Sequence, residues 1–121
     1  MFKNIVRIAL FAALCTTAHA QTAAGKDGVL TDPAGRALYT FDKDSAGKSN
    51  CYDKCAALWP PFAAPAGAAA SGDYSTVTRD DGSQQWAFRG KPLYYFAADA
   101  EPGQTTGDGR NGVWHLLRAD K

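Results

Sequence analysis

The sequence predicts an all-β, mainly antiparallel fold in which two tandem β-hairpin-type repeats pack together, with one short helix near residues 51–58. Three observations predict this fold. Residues 35–44 recur as residues 90–99, with five identical positions at an offset of 55. The same offset carries Trp59 onto Trp114, fifteen residues beyond the last Asp of each copy. Short alternating apolar runs between turn-forming residues supply the strands.

The first repeat predicts a hairpin followed by a helix. Strands near 27–31 and 36–41 flank the sequence Asp-Pro-Ala-Gly, whose Pro and Gly positions favour a type I turn. A polar loop follows at 42–49. Residues 51–58 then predict about two helical turns, which end before two consecutive prolines because proline cannot continue a helix.

The second repeat follows an Ala/Gly-rich connector at 63–72. Strands at 73–78 and 84–88 flank Asp-Asp-Gly-Ser, in which Asp-Gly supplies the positive φ of a tight hairpin turn. The second copy of the aromatic strand is predicted at 92–96. After a loop rich in Gly and Pro, a last strand at 113–117 closes the domain. Neither hairpin can bury its aromatic face alone, so the copies are expected to lie side by side about an approximate twofold.

The first twenty residues predict a cleavable signal peptide. Lys3 and Arg7 precede a short apolar run, and an Ala-His-Ala sequence ends at Ala20, where cleavage is expected. The apolar run is too short to span a bilayer. A lipid anchor is not expected, because a lipobox needs a small residue immediately before its cysteine and here Leu14 precedes Cys15.

The mature chain is expected to be one small periplasmic or secreted domain. A flexible lead-in covers 21–27, and the domain covers 28–118 with repeats at about 28–62 and 73–118. The signal peptide contains two of the thirteen basic residues and none of the twelve acidic ones, so the mature chain carries balanced charge. Neither nucleic acid nor an anionic membrane is therefore an expected partner. The mature chain has no apolar run long enough for a transmembrane segment.

The aromatic residues of the two copies predict a shared centre. At the strand period of two, Tyr39 and Phe41 share a face, as do Tyr94 and Phe96. These faces could form a packed core or line a cleft for a planar ligand. The tryptophans expected around them are Trp59, Trp86 and Trp114.

Asp44 and Asp99 each follow an aromatic strand by three residues. An Asp at this position commonly accepts backbone N–H groups and so holds the following loop in place. The alternative is a pair of carboxylates that act as acid and base or as metal ligands, as in a hydrolase.

Cys51 and Cys55 remain after signal cleavage and predict a disulfide, since an even pair in an exported chain is commonly oxidised. Positions i and i+4 of a helix share a face, at a separation that suits a disulfide. The alternatives are a labile redox pair or a metal site. With His115, the two thiolates resemble a copper ligand set without its axial ligand. No cofactor is otherwise expected.

Several motifs of this chain resemble the secreted repeat family with the Y-x-(F/W/Y)-x-x-D motif, whose members are often called predicted lipoproteins. The motifs occur in order at 38–44, 49–61, 81–86, 90–99 and 102–109. The resemblance covers nearly the whole mature chain. It implies a bacterial envelope protein with paired repeats and a cysteine-bearing segment before Trp-Pro-Pro, and it implies little about activity.

These features predict an exported, envelope-associated binding or structural module of unknown ligand that is not an enzyme. Its partner would be an envelope protein or a small aromatic ligand. The alternative is a periplasmic redox or metal-handling protein, of an electron-transfer or copper type, that uses the two cysteines.

Overall fold

The computed structural model describes residues 23–24 and 28–118. The predicted signal peptide, its cleavage site and most of the lead-in lie outside these residues. Within them the secondary structure consists of short strands, one helix and a 3-10 turn at Arg110–Gly112. In chain order the elements are β1 (Ala23–Ala24), β2 (Leu30–Thr31), β3 (Tyr39–Phe41), α1 (Lys54–Leu58), β4 (Ala63–Ala64), β5 (Tyr74–Thr78), β6 (Gln84–Phe88), β7 (Lys91–Pro92) and β8 (Trp114–Leu116).

Every strand pair in the described residues is antiparallel. β1 pairs with β2, and β3 pairs with β8. The largest sheet is centred on β6, which pairs with β4, β5 and β7. The β5–β6 hairpin turns at the predicted Asp-Gly, where Gly82 has a φ of +88°. The predicted fold class, an antiparallel β fold with one short helix, is confirmed.

The β3–β8 pair joins the first repeat to the end of the second. In its register Phe41 lies opposite Trp114, and Thr40 lies opposite His115. Side chains alternate between the two faces of a strand pair. Tyr39, Phe41 and Trp114 therefore lie on the inner face, whereas Thr40 and His115 lie on the outer face.

The predicted aromatic strand at 92–96 is not one continuous strand. β7 covers only Lys91–Pro92, and beyond it the backbone changes partner at each residue. The Leu93 N–H donates to β6, and the next N–H, of Tyr94, donates to β3. This segment therefore lies between two sheets, which its sequence alone does not indicate.

The predicted helix at 51–58 is shorter in the structure. Asp53 has a φ of 55° and a ψ of −118°, which are not helical, so α1 begins at Lys54. Cys51 consequently precedes the helix, while Cys55 lies within it. The first two residues of the predicted connector form β4, which extends the central sheet.

The buried side chains form two clusters. The first core contains Val29, Ala37, Tyr39, Cys51, Trp59, Tyr94, Phe96 and Trp114. The second core contains Leu30, Leu38, Phe62, Ala64, Trp86, Phe88, Leu93 and Leu117. Neighbouring residues such as Leu38 and Tyr39 enter different cores because strand side chains alternate. Trp86 was expected beside the aromatic centre, but it packs in the second core because β6 directs it there.

The backbone of the two repeats is related by an approximate twofold. The Tyr39 N–H donates to the Tyr94 carbonyl at 2.8 Å, and the Tyr94 N–H donates to the Tyr39 carbonyl at 3.0 Å. These two residues are equivalent at the offset of 55, so the axis passes between them. A second pair of bonds obeys the same relation, both at 2.8 Å: Asp42 N–H to Val113 O and Ala97 N–H to Leu58 O.

Candidate functional site

Four aromatic rings form a continuous stack in the first core. Their order is Phe41, Trp114, Trp59 and Phe96, with centroid separations of 4.1, 3.8 and 4.3 Å. The two indole planes lie within 3° of parallel. Because the order alternates between the repeats, each Trp lies against the Phe of the other repeat. Neither repeat can complete this stack by itself.

The two repeats also exchange a hydrogen bond between tyrosine and aspartate. The Tyr39 hydroxyl donates to Asp99 Oδ2 at 2.6 Å, and the Tyr94 hydroxyl donates to Asp44 Oδ2 at 2.6 Å. Both tyrosines are completely buried. Burial, together with the adjacent carboxylate, raises the pKa of both tyrosines well above the usual value of 10.0.

Each aspartate also holds the loop that follows it. Asp99 Oδ1 accepts the Thr106 backbone N–H at 2.9 Å, and Asp44 Oδ1 accepts the Asn50 backbone N–H at 2.7 Å. Burial raises the pKa of Asp44, although the hydrogen bonds from Tyr94 and Asn50 oppose this shift. These are the contacts expected of a loop-fixing aspartate. Both carboxylates are occupied by groups of the protein itself.

Cys51 and Cys55 form a disulfide in the structure. Cys51 lies in the first core and Cys55 packs against it. His115 lies on the outer face of β3–β8, where its Nε2 is 2.8 Å from Asp42 Oδ2. The structure therefore does not bring His115 together with the two sulfurs. Across residues 28–118 there is no group of three or more His, Cys, Asp or Glu side chains that could hold a metal ion.

Arg79 is a buried cation that the sequence analysis did not identify. Only 5% of the residue is exposed, and its guanidinium donates to Gln85 Oε1 at 2.8 Å and to the Cys51 carbonyl at 2.7 Å. It also donates to Ser49 Oγ at 3.1 Å. One signal in the sequence could have found it, because Arg79 follows the buried Val77 by two residues and so shares its inward face.

Ser49 connects this cation to one of the two tyrosine–aspartate pairs, that of Tyr94 and Asp44. Its Oγ lies 2.6 Å from the Tyr94 hydroxyl, which in turn donates to Asp44. The positive charge of Arg79 also acts to lower the pKa of Asp44. On the other side of the twofold, the Tyr39 hydroxyl instead accepts the Gly107 backbone N–H at 3.1 Å. Each pair thus has the same tyrosine–aspartate hydrogen bond, but the two tyrosine hydroxyls have different second partners.

A groove lies on the outer face of β3–β8, on the side opposite the aromatic stack. Its volume is about 450 Å³, and we call it the outer groove. The polar residues that line it are Thr40, Asp42, Arg89, Lys91, His115 and Arg118. The apolar residues that line it are Phe88, Leu116 and Leu117. A depression of about 260 Å³ beside it shares Thr40, Asp42, Arg89 and Lys91 with the groove.

Comparison with known families agrees with the internal repeat. Residues 21–63 and 75–118 each match the family Lipoprotein_15, described as a secreted repeat of unknown function, and together they cover most of the chain. The chain belongs to this family. The family-level resemblance found in the sequence is therefore confirmed. No curated protein and no solved structure matches the chain with significant similarity.

In this Lipoprotein_15 chain the two matched segments are the two halves that exchange side chains. Tyr39 and Phe41 belong to the first segment, and their partners Asp99 and Trp114 belong to the second. In the part of the chain that the structure describes, no helix is long and apolar enough to cross a membrane.

Proposed function

We propose that this secreted repeat protein is a non-enzymatic binding module whose ligand occupies the outer groove. The observation that carries the proposal is the groove itself, which is lined both by polar side chains and by apolar ones such as Phe88 and Leu117. Small-molecule sites commonly combine these features at volumes of about 300–1,000 Å³. The repeated aromatic and acidic residues are used inside the protein, so they serve as its scaffold.

The side chains of the groove support binding rather than catalysis. Thr40, His115 and Asp42 share the outer face, which invites comparison with a nucleophile, a base and an orienting acid. In the described structure His115 bonds to Asp42, and no hydrogen bond joins it to Thr40. His115 therefore does not activate the Thr40 hydroxyl in this arrangement. About half of the His115 side chain is exposed, at 45%, so solvent reaches this position.

A titration followed by NMR tests this proposal. The chain from Gln21 to Lys121 would be labelled with ¹⁵N and titrated with a mixed set of neutral, anionic and cationic small molecules. We expect the bound members to shift the amide signals of Thr40, His115 and Leu116. Shifts confined to other surfaces, or no shifts with any member of the set, would overturn the proposal.

We also propose that the signal peptide is removed after Ala20 and that the mature protein resides in the periplasm or outside the cell. The Cys51–Cys55 disulfide supports this location, since disulfides persist in oxidising compartments. The intact mass of protein purified from the periplasm tests both points. We expect a chain that begins at Gln21 and lacks two hydrogens, whereas a retained signal or an added lipid would contradict the proposal.

A further inference from the structure

The position in the second repeat that is equivalent to Thr40 in the outer groove carries a large aromatic side chain. At the offset of 55, Thr40 in the groove corresponds to Tyr95. The Tyr95 ring lies under the Arg36 guanidinium at 4.4 Å and contacts the Phe62 ring at a centroid distance of 5.7 Å. A tyrosine ring thus occupies the outer face of the second repeat, in contact with both a cation and an apolar side chain.

The outer groove has residues equivalent to both contacts of the Tyr95 ring, but it has no ring of its own at this position. Arg36 corresponds to Lys91, and Phe62 corresponds to Leu117. Lys91 and Leu117 both line the groove. Thr40, which is much smaller than tyrosine, lines the groove together with this cation and this apolar side chain. The twofold therefore indicates that the groove accommodates an aromatic ring, which a cation above its face would attract.

Most of the charged side chains that line the groove differ in sign from the one that binds the Tyr95 hydroxyl. The Tyr95 hydroxyl donates to the carboxylate of Asp32 at 2.8 Å. The outer groove instead carries three cations: Arg89, Lys91 and Arg118. Arg89 is ion-paired with Asp73 at 3.4 Å, but within residues 28–118 no ion pair is formed by Lys91 or Arg118.

One acid, Asp42, lines both the groove and the adjoining depression, so the cations that line the groove outnumber its carboxylates. Asp42 already bonds to His115 at 2.8 Å. Asp44, which lines only the depression, accepts hydrogen bonds from Tyr94 and Asn50. A ring in the groove would therefore lie among more cations than carboxylates, whereas the Tyr95 hydroxyl is bonded to a carboxylate. Charge complementarity then requires a negative group on the ligand.

We infer that the outer groove binds a small aromatic carboxylate. Its ring lies in the place that Tyr95 holds in the second repeat, beside Leu117, and its carboxylate faces Lys91 and Arg118. This inference rests on the proposed function and adds the chemical class of the ligand. The groove volume of about 450 Å³ is sufficient for a ligand of this size.

Three related probes separate the features of the ligand. Benzoate carries both the ring and the charge, benzyl alcohol has the ring alone, and cyclohexanecarboxylate has the charge alone. Each would be titrated into the ¹⁵N-labelled chain from Gln21 to Lys121. We expect benzoate to shift the amide signals of the groove residues Thr40 and Leu116. We expect each of the other two probes to bind roughly tenfold more weakly, as the loss of one favourable interaction predicts.

Two variants test the placement. Thr40→Tyr introduces the residue that the second repeat carries, so its own ring should fill the groove and abolish benzoate binding. Lys91→Met removes the cation and should weaken binding roughly three- to tenfold. Lys54→Met is the matched control, because Lys54 is exposed on α1 and does not line the groove. Thermal unfolding of each variant verifies that it folds. If Thr40→Tyr does not fold, Lys91→Met alone carries the test.

The outcomes distinguish this inference from the proposed function. Equal binding of benzyl alcohol and benzoate in the groove would overturn the anionic part of the inference and leave the binding module intact. Equal binding of cyclohexanecarboxylate would overturn the aromatic part. If no probe of any charge shifts the groove signals, the inference and the proposed function both fail.

Discussion

Tyr39 and Asp99 are sixty residues apart in the sequence, and a hydrogen bond of 2.6 Å joins their side chains. The equivalent pair, Tyr94 and Asp44, forms the same bond, but here the second repeat supplies the tyrosine and the first supplies the aspartate. Each carboxylate also fixes the loop of its own repeat, so the loop of one repeat is positioned by the tyrosine of the other. This exchange couples the folding of the two halves.

Removing the Tyr39 hydroxyl should measurably destabilise the protein. In Tyr39→Phe, the buried Asp99 loses its donor at Oδ2, and a buried group without its partner costs about 1–3 kcal/mol. We expect the free energy of unfolding in urea to fall by this amount.

Tyr52→Phe is the matched control for this substitution. The Tyr52 hydroxyl accepts the Asp80 backbone N–H at 3.0 Å in an exposed position, where water can replace it. Its removal should change the free energy of unfolding by less than about 0.5 kcal/mol. Equal effects of Tyr39→Phe and Tyr52→Phe would show that the exchanged bond does not stabilise the fold.

The stability of the protein should decrease in alkaline solution. Burial and a carboxylate partner raise the pKa of Tyr39, Tyr94 and Tyr95 above 10.0 in the folded state. Above about pH 10 the unfolded chain loses tyrosyl protons that the folded chain retains, so the unfolded state binds fewer protons and stability falls as pH rises. Below this pH the contribution of these groups is complete.

Urea unfolding at several pH values between about pH 8 and about pH 11 measures this dependence. Tyr94→Phe removes one of the three groups, so the loss of stability with pH should be shallower in this variant. A stability that remains constant or rises over this range would contradict the raised pKa values.

Gly107 lies where the aromatic stack leaves no room for a side chain. A Cβ at this position would lie 2.7 Å from Trp59 Cη2 and 3.0 Å from the Phe96 ring. Overfilling a packed core costs about 1–3 kcal/mol, so Gly107→Ala should lower the free energy of unfolding by this amount.

The Trp59→Phe background provides the control for Gly107→Ala. A smaller ring at position 59 removes the closest contact, and the two substitutions should then destabilise the protein by less than the sum of their separate effects. Additive effects, or no effect of Gly107→Ala alone, would contradict the packing seen around the stack.

Loss of the disulfide should weaken the fold without abolishing it. The sequence separation of Cys51 and Cys55 is only 4, and closing so short a loop is expected to contribute about 2 kcal/mol. The Cys51→Ala/Cys55→Ala double variant should therefore lose about this much stability in urea and still unfold cooperatively. A variant that is unfolded in the absence of denaturant would show that the disulfide is essential to the domain.

The sequence by itself determined the features that depend on local pattern. The strands predicted at 73–78 and 84–88 occur as Tyr74–Thr78 and Gln84–Phe88. Alternating apolar residues and an Asp-Gly turn specify such a hairpin without information from the rest of the chain. The repeat was also visible in the sequence, because its residues are conserved in type and spacing between the two copies.

The tertiary structure decided which neighbours these faces meet. Periodicity placed Tyr39 and Phe41 on one face, but it could not show that their partners, Asp99 and Trp114, come from the other repeat. It could not show that the segment around Tyr94 changes partner at each residue. It could not show that Thr40, which corresponds to Tyr95 in the second repeat, lines a groove. Local pattern determines the direction of a side chain, whereas its contacts depend on how distant segments pack.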